Sequence, residues 1–223
     1  MRVLSFLIFF QLFKMINDCI VIITCVNYSD FLEKTCPLNK GYFPNDHFIV
    51  VTSPNDTRTI QCCQQNNVKC HIFNDYFKNA KFNKSGAIHD VQKKIHSEHP
   101  DKWILLLDAD IILPSNFEEL MKNSETFDKN ALYSMKRKDY ILQKDFENKT
   151  NAINYPGQNF MGFMQMYFNK IHYYASFSSD GTGCDYFFAG QFHTKKFVSE
   201  CDYLTHIGEY GVNNYGRISA EWS

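Results

Sequence analysis

Along the first 130 residues, short unbroken apolar runs alternate with stretches whose apolar positions recur at helical spacing. This alternation predicts a repeated strand-then-helix order. "CIVIITC" at 19–25 reads as a buried first strand, followed by Ser29 as a helix cap and by "DFLEKTC", where Phe31, Leu32 and Cys36 form one apolar face. "HFIVVTS" at 47–53 reads as a second buried strand, "TRTIQCCQQNN" as a helix and "VKCHIFN" at 68–74 as a third, short strand. Between Ser85 and Glu98, Ile88, Val91 and Ile95 fall at helical spacing with Lys93 and Lys94 on the other side, the pattern of a helix lying on a sheet. "KWILLLDADIILP" is an apolar strand that ends in two carboxylates, and beyond Pro114 the Ser115-to-Glu118 spacing is a capping box opening another helix. Strands separated by helices of about 10–15 residues predict a parallel, doubly wound sheet, with ligands at the carboxyl ends of the strands. Asp108 and Asp110 fall at that end.

After residue 130 the alternation is lost. "ALYSMKRKDY" reads as one strand, 141–158 as a polar loop, "FMGFMQMYF" as a strand or aromatic segment, "CDYFFAGQF" as a short helix and "CDYLTHIG" as a last strand. No repeat, low-complexity tract or linker divides the 223 residues, a length suited to one α/β domain. At the amino end, Arg2 and the apolar stretch Val3 to Phe13 resemble the first parts of a signal peptide, but no small-residue cleavage site is found after them. The stretch is also too short to span a bilayer as a helix. The preferred reading starts the folded unit at Met15 and takes 1–14 as an extension, with a secretory signal as the alternative.

Composition narrows the function. Lys+Arg 23 against Asp+Glu 24 leaves a net charge of -1, so no broad positive field is available for nucleic acid. With 44% hydrophobic and 21% charged residues and a mean hydropathy of -0.35, the chain reads as globular and neither disordered nor collagen-like. Aromatic residues reach 16%, enough for a large aromatic core or for stacking surfaces in a cleft. The eight cysteines match neither a zinc pattern nor a disulfide framework, which favours a reducing, cytoplasmic location. Four glycosylation acceptor sequons, at Asn27, Asn55, Asn83 and Asn148, are what an Asn-rich chain gives by chance.

The chemistry starts at Asp108 and Asp110. In an extended strand, residues i and i+2 project to the same side, so both carboxylates can reach one cation. Hard oxygen donors suit Mn²⁺ or Mg²⁺, and such an ion keeps positions open for the phosphate oxygens of a leaving group. D-x-D alone is common in a chain with 15 Asp; here five apolar residues, "WILLL", place the pair at the end of a buried strand, where an unpaired carboxylate is costly.

At this point the sequence resembles the GT-A class of nucleotide-sugar-dependent glycosyltransferases over most of residues 19–217. The likeness is carried by "VIITCVNYSDFL", "NKSGAIHDVQKK", "ILLLDADIILP" and "HIGEYGVNNYGR". The last is similar to the closing "H-x-G…N-W-x-G-R" of small bacterial and large-DNA-virus members, with Tyr215 in place of the Trp. The resemblance implies a single GT-A, Rossmann-like domain over 15–223, with 15–130 as its nucleotide-binding half and 131–223 as its acceptor-side half. It implies a nucleotide-sugar donor, expected to be UDP-linked, a hydroxyl-bearing acceptor, and Mn²⁺ or Mg²⁺ as cofactor. Asp108, Asp110 and His206 would be the metal ligands. Thr24, Val26, Tyr28, Lys84, Asp90, Ala109 and Arg217 would hold the nucleotide, Arg217 through its planar fork on the diphosphate. Relatives usually carry Asn where this chain has His89.

An inverting reaction needs a carboxylate within reach of the acceptor hydroxyl, and the resemblance puts that general base at Asp185, which a helix-start capping role explains as well. Gln165 is a further candidate for acceptor contact, or else a solvent-facing sheet residue. Two other classes remain open. A sugar-nucleotide pyrophosphorylase shares the sheet but should carry a Gly- and Arg-rich loop after its first strand, which "VNYSD" lacks. A non-catalytic carbohydrate- or nucleotide-binding module would keep the fold without the metal.

Overall fold

In a computed structural model of the chain, residues 16–157, 160, 162–169, 172–209 and 217 are described. The order of elements is β1 (Cys19–Thr24), α1 (Ser29–Asn39), β2 (Phe48–Thr52), α2 (Thr57–Asn66), β3 (Lys69–Ile72), α3 (Lys84–Glu98), β4 (Trp103–Asp108), β5 (Ile111–Ile112), α4 (Phe117–Met121), β6 (Ala131–Ser134), β7 (Lys136–Tyr140), α5 (Gln143–Asn148), β8 (Ile153–Asn154), β9 (Met164–Phe168), α6 (Cys184–Ala189), β10 (Thr194–Phe197) and β11 (Tyr203–Ile207). Short 3₁₀ turns join several of them.

Seven strands form one sheet in the order β10-β6-β9-β4-β1-β2-β3. It is mixed but mostly parallel: β1 pairs in parallel with β2 and β4, β2 with β3 and β6 with β10, while β9 runs antiparallel to β4 and β6. β1 and β4 lie inside this sheet, which is why their sequences are unbroken apolar runs. Their side chains alternate between two cores. Val21, Ile23, Leu105 and Leu107 pack with Leu32, Cys36, Cys62 and Phe117 on one face. Ile20, Ile22, Ile104 and Leu106 pack with Ile88, Val91, Ile95 and Phe188 on the other. Each such buried aliphatic side chain contributes about 1.5–3 kcal/mol. The helices thus cover both faces, and the loops after β1 and β4 open along one edge.

A second sheet, in the order β5-β11-β7-β8, stands beside that edge. It exists because the segment 131–140, expected as one strand, breaks at buried Met135: β6 stays in the large sheet and β7 leaves for the small one. The segment expected as a polar loop, 141–158, contains α5 and β8, and β10 has no counterpart in the hydrophobic pattern. Two expected caps are not formed. Ser29 is the first residue of α1, whose cap position, Tyr28, makes no side-chain capping bond. α4 starts at Phe117 with Asn116 before it and likewise without a side-chain cap, so Ser115 and Glu118 do not form a box. Real caps are Asp56, which accepts from Thr59 N at 3.1 Å, and Asn83, which accepts from Gly86 N at 3.0 Å. Among the described residues, no helix is long and apolar enough to cross a membrane.

Candidate active site

Parallel pairing of β1 with β4 aligns Thr24 with Asp108, so the two strands end together and the loops beyond them share one edge of the sheet. β4 stops at Asp108, residues 109–110 form a turn, and the chain re-enters pairing as β5 against β11 in the small sheet. The expectation that both acids project from one extended strand is therefore not met. The turn sends them to different partners and produces two clusters.

The first cluster is built by the small sheet. β11 places His206 opposite Ile111 of β5 and opposite Asp139 of β7, and Ile207 N donates to Asp110 O at 3.0 Å. His206 Nε2 lies 3.4 Å from Asp110 Oδ2, and its Nδ1 lies 3.3 Å from Asp139 Oδ1. Arg137 Nε stands 2.9 Å from the same Asp139 oxygen, its guanidinium stacked over the rings of Tyr155 at 3.8 Å and Phe163 at 4.5 Å. The Tyr28 hydroxyl donates to Asp110 Oδ2 at 3.2 Å, while Asp110 Oδ1 is buried without a hydrogen-bond donor. All four charged residues are buried, an arrangement that persists only because each has an opposite charge beside it. Burial pulls the His206 pKa down, but Asp110 and Asp139 outweigh it and lift it to about 9. Burial pushes the Asp110 carboxyl up, yet His206, Arg137 and the Tyr28 hydroxyl hold it below the usual carboxylate range. Gly208, at φ +98°, closes the turn after β11. It donates to Tyr140 O at 2.9 Å, and a Cβ there would sit 2.6 Å from the Phe31 ring.

The second cluster joins the end of β4 to the starts of α3 and α6. Lys84 Nζ is 3.1 Å from Asp108 Oδ1 and 3.4 Å from Asp185 Oδ2. Tyr174 Oη lies 2.7 Å from Asp185 Oδ1 and 2.5 Å from Gln165 Oε1, so its single proton serves one of two acceptors at a time. Gln165 Nε2 donates to the carbonyls of Phe160 and Asp185, and Tyr174 is held in turn by His89 Nδ1, 2.8 Å from its carbonyl oxygen. Gly162, at φ +48°, admits this approach: a Cβ there would lie 2.5 Å from Asp185 Oδ2. Burial pushes the Asp108 carboxyl up to about 6, an effect that Lys84 only partly offsets. Burial also opposes the Lys84 charge, but Asp108 and Asp185 keep its pKa well above the ordinary lysine value.

The other expected site residues divide. Tyr28 joins the first cluster through its hydroxyl, and Val26 is buried just before it. Arg217 donates to Asp30, through Nη2 at 3.1 Å and through Nη1, with its guanidinium 4.7 Å from the Tyr28 ring. Thr24 stands at the strand end beside Asp108, and the Ala109 carbonyl accepts from the Thr35 hydroxyl at 2.6 Å. Asp90 is drawn to β3, its Oδ2 2.9 Å from His71 Nε2. Gln165 is fully buried and hydrogen-bonded inside the protein, which corrects the expectation of a solvent-facing residue and leaves it supporting Asp185. The side chain of Asp185 turns to Lys84 and Tyr174, and α6 has no side-chain cap at all, so the capping role does not apply. Arg137, Asp139 and Tyr174 join the site without having been singled out by the sequence. The alternation of Arg137 and Asp139 along "KRKDY" is the signal that could have found the first two. Residues 1–15 and 210–216, including most of the closing "HIGEYGVNNYGR" segment, lie outside the described residues.

Among the described residues, no group of three or more His, Cys, Asp or Glu side chains is set to hold a metal ion. The donors nevertheless fit one in part. Asp110 and His206 form a carboxylate–imidazole pair of the kind that Mn²⁺ accepts, and the orphaned Asp110 Oδ1 is a buried acceptor awaiting a positive partner. The third expected donor, Asp108, is engaged by Lys84.

No protein-family model matches the chain, and no curated protein matches it. Solved structures do. S. aureus TarS 1-349 in complex with UDP-GlcNAc superposes with a TM-score of 0.60 at 13% identity, over 89% of this chain and 60% of that one. The mannosyltransferase PcManGT from Pyrobaculum calidifontis, in complex with GDP-Man and Mn²⁺, superposes with a TM-score of 0.51 at 12% identity, over 89% of this chain and 58% of that one. The chain thus spans about three fifths of the length of these two structures. At such identities the likeness is one of fold: a mixed α/β architecture with a large, mostly parallel central sheet, the Rossmann-like arrangement of GT-A structures.

Proposed function

We propose that the chain is a metal-dependent glycosyltransferase that moves a sugar from a nucleotide-sugar donor, UDP-linked by expectation, to a hydroxyl acceptor. The observation that carries this reading is the Asp110–His206 pair, with Asp110 Oδ1 left without a donor, at the edge where β1 and β4 end. Support comes from the donor complexes of the two structures of like fold: one is described with UDP-GlcNAc, the other with GDP-Man and Mn²⁺. The proposal takes 15–223 as one domain, with a nucleotide-binding half to residue 130 and an acceptor-side half beyond it. A reducing compartment agrees with eight free thiols.

The residues then take distinct roles. Asp110 and His206 would hold Mn²⁺, with Asp108 as the third donor; the ion, when bound, would neutralise the diphosphate as it leaves. Tyr28 and Arg217 stand together after β1, the ring against Phe31 and the guanidinium; Arg217, paired with Asp30, would turn donors to phosphate. Asp185 would take the proton from the acceptor hydroxyl. Tyr174 and Lys84 each engage one of its oxygens and fix the direction in which the carboxylate faces.

Titration calorimetry of UDP with and without Mn²⁺ tests the reading, with Asp110→Ala beside the unaltered protein. Metal-dependent UDP binding, lost in the variant together with turnover, is the expected result; unchanged turnover in Asp110→Ala overturns it. The engagement of Asp108 by Lys84 favours one second reading, a nucleotide- or carbohydrate-binding module with no metal requirement. That reading expects UDP affinity indifferent to Mn²⁺.

A further inference from the structure

The small sheet buries an acid that the proposed reaction does not call for. Asp139 is 1% exposed and His206, its register partner across the β7–β11 pair, is 2% exposed. The imidazole is strung between two carboxylates, with Nδ1 3.3 Å from Asp139 and Nε2 3.4 Å from Asp110. A neutral imidazole has one N–H and one lone pair, and the hydrogen bond made by one nitrogen sets the character of the other. Asp139 has little freedom to turn away. Arg137 holds it at 2.9 Å, and Arg137 is itself pinned against the rings of Tyr155 and Phe163. Both nitrogens face carboxylates, as suits an imidazolium, and the Nδ1–Asp139 approach is a charge contact not aligned as a hydrogen bond. A cation taking the place of the Nε2 proton would meet the lone pair there, with the remaining N–H on Nδ1 toward Asp139.

From this geometry we infer that Asp139, held by Arg137, is a positioning residue that orients His206 as a nitrogen donor to a divalent cation shared with Asp110. The inference rests on the metal-dependent glycosyltransferase reading and adds the outer carboxylate to it. Metal-bound histidines commonly donate their second N–H to such a carboxylate, and its loss weakens metal affinity by about 10–100-fold. A purely structural ion-pair network would instead show its effect in stability alone.

The probe is MnCl₂, monitored by electron paramagnetic resonance with and without UDP, in the full chain and in Asp139→Asn. Because that variant leaves Arg137 without its carboxylate and can fail to fold, Arg137→Met/Asp139→Leu is measured beside it; exchange of a buried ion pair for apolar side chains of similar volume is often tolerated. The expected result is a Mn²⁺ affinity lowered about 10–100-fold in the folded variant, with UDP affinity in the absence of metal unchanged. In the unaltered protein, pulsed spectra should show ¹⁴N coupling from one imidazole, absent in His206→Gln. Equal Mn²⁺ affinity in parent and variant, or Mn²⁺ bound without ¹⁴N coupling, overturns the role of Asp139 and leaves the metal-dependent reading standing. No Mn²⁺ binding by the unaltered protein, with or without UDP, overturns both.

Discussion

The two clusters on this edge of the sheet sit two residues apart in the chain, at Asp110 and Asp108, and are built on opposite principles. Around Asp110, strand register sets His206 beside Asp139, and the Ile207 amide ties the Asp110 turn to β11, so Asp110, His206, Asp139 and Arg137 form an alternating row of charges. Around Asp108, one lysine from the start of a helix is shared between two carboxylates, and the second of them comes from another helix start. The first row is matched charge for charge and is buried. The second carries two acids for one cation, and Asp108 is partly open to solvent. A register-built row suits groups that must not move. A shared lysine suits groups that exchange partners when a substrate or an ion arrives.

The sharpest break between the clusters should come from Asp185→Asn. The amide keeps the size of the side chain and the fit against Gly162, but it cannot accept a proton. Turnover should fall by about 10²–10⁴-fold, the usual contribution of a positioned general base. Mn²⁺-dependent UDP affinity, proposed to rest on Asp110, His206 and Asp108 and not on Asp185, should stay within about twofold, an energy change below about 0.5 kcal/mol. Steady-state rates with a hydroxyl acceptor and calorimetry on the same preparation measure the two separately. Loss of metal-dependent binding in this variant would mean that the clusters act as one.

Lys84→Met removes the cation that Asp108 and Asp185 share. Each carboxylate loses its charged donor, and unfolding stability should fall by about 1–3 kcal/mol, the lower part of the range applying where water reaches Asp108. The more telling measurement is Mn²⁺ affinity without nucleotide. With Lys84 gone, Asp108 has no competing cation, so paramagnetic resonance titration should show tighter Mn²⁺ binding than in the parent protein. Unchanged affinity would show that Lys84 and the ion do not compete for Asp108, and would leave the ion to Asp110 and His206.

These two clusters are unequally legible in the sequence, for physical reasons. β1 and β4 announce themselves because burial on both faces leaves no polar positions, and Asp108 is read directly as the end of such a run. The course of the chain beyond Asp108 is set by tertiary pairing. β5 is two residues long and exists only against β11, far along the chain, through the Ile111–His206 pair and its neighbour, so the "DADII" pattern carries no sign that the strand will stop. β7 is harder still. "KRKDY" has the polarity of a solvated strand, yet it buries Arg137 and Asp139 because each neutralises the other and His206 completes the row. Hydrophobic periodicity cannot report a residue that is buried by its charge. His206 stands out through the "H-x-G" resemblance and its place before a glycine turn, a signal that carries no information about Asp139.

Asp90 gives the smallest expected effect and the finest test of which side of α3 serves the site. The resemblance puts Asp90 on the nucleotide, whereas its side chain pairs with His71 of β3 and is nearly half exposed. A contact in such a setting contributes about 0–1 kcal/mol, since water screens the carboxylate and both side chains lose freedom. Asp90→Asn should therefore lower stability by less than about 1 kcal/mol in a denaturant titration and leave UDP affinity unchanged. Lys84, six positions earlier on the same helix, faces Asp108 and Asp185, and the contrast between the two variants measures how far along α3 the site extends. A UDP affinity lowered tenfold or more in Asp90→Asn, equal to at least about 1.4 kcal/mol, would mean that the carboxylate leaves His71 for the nucleotide. The edge of the site would then reach from β4 across to β3.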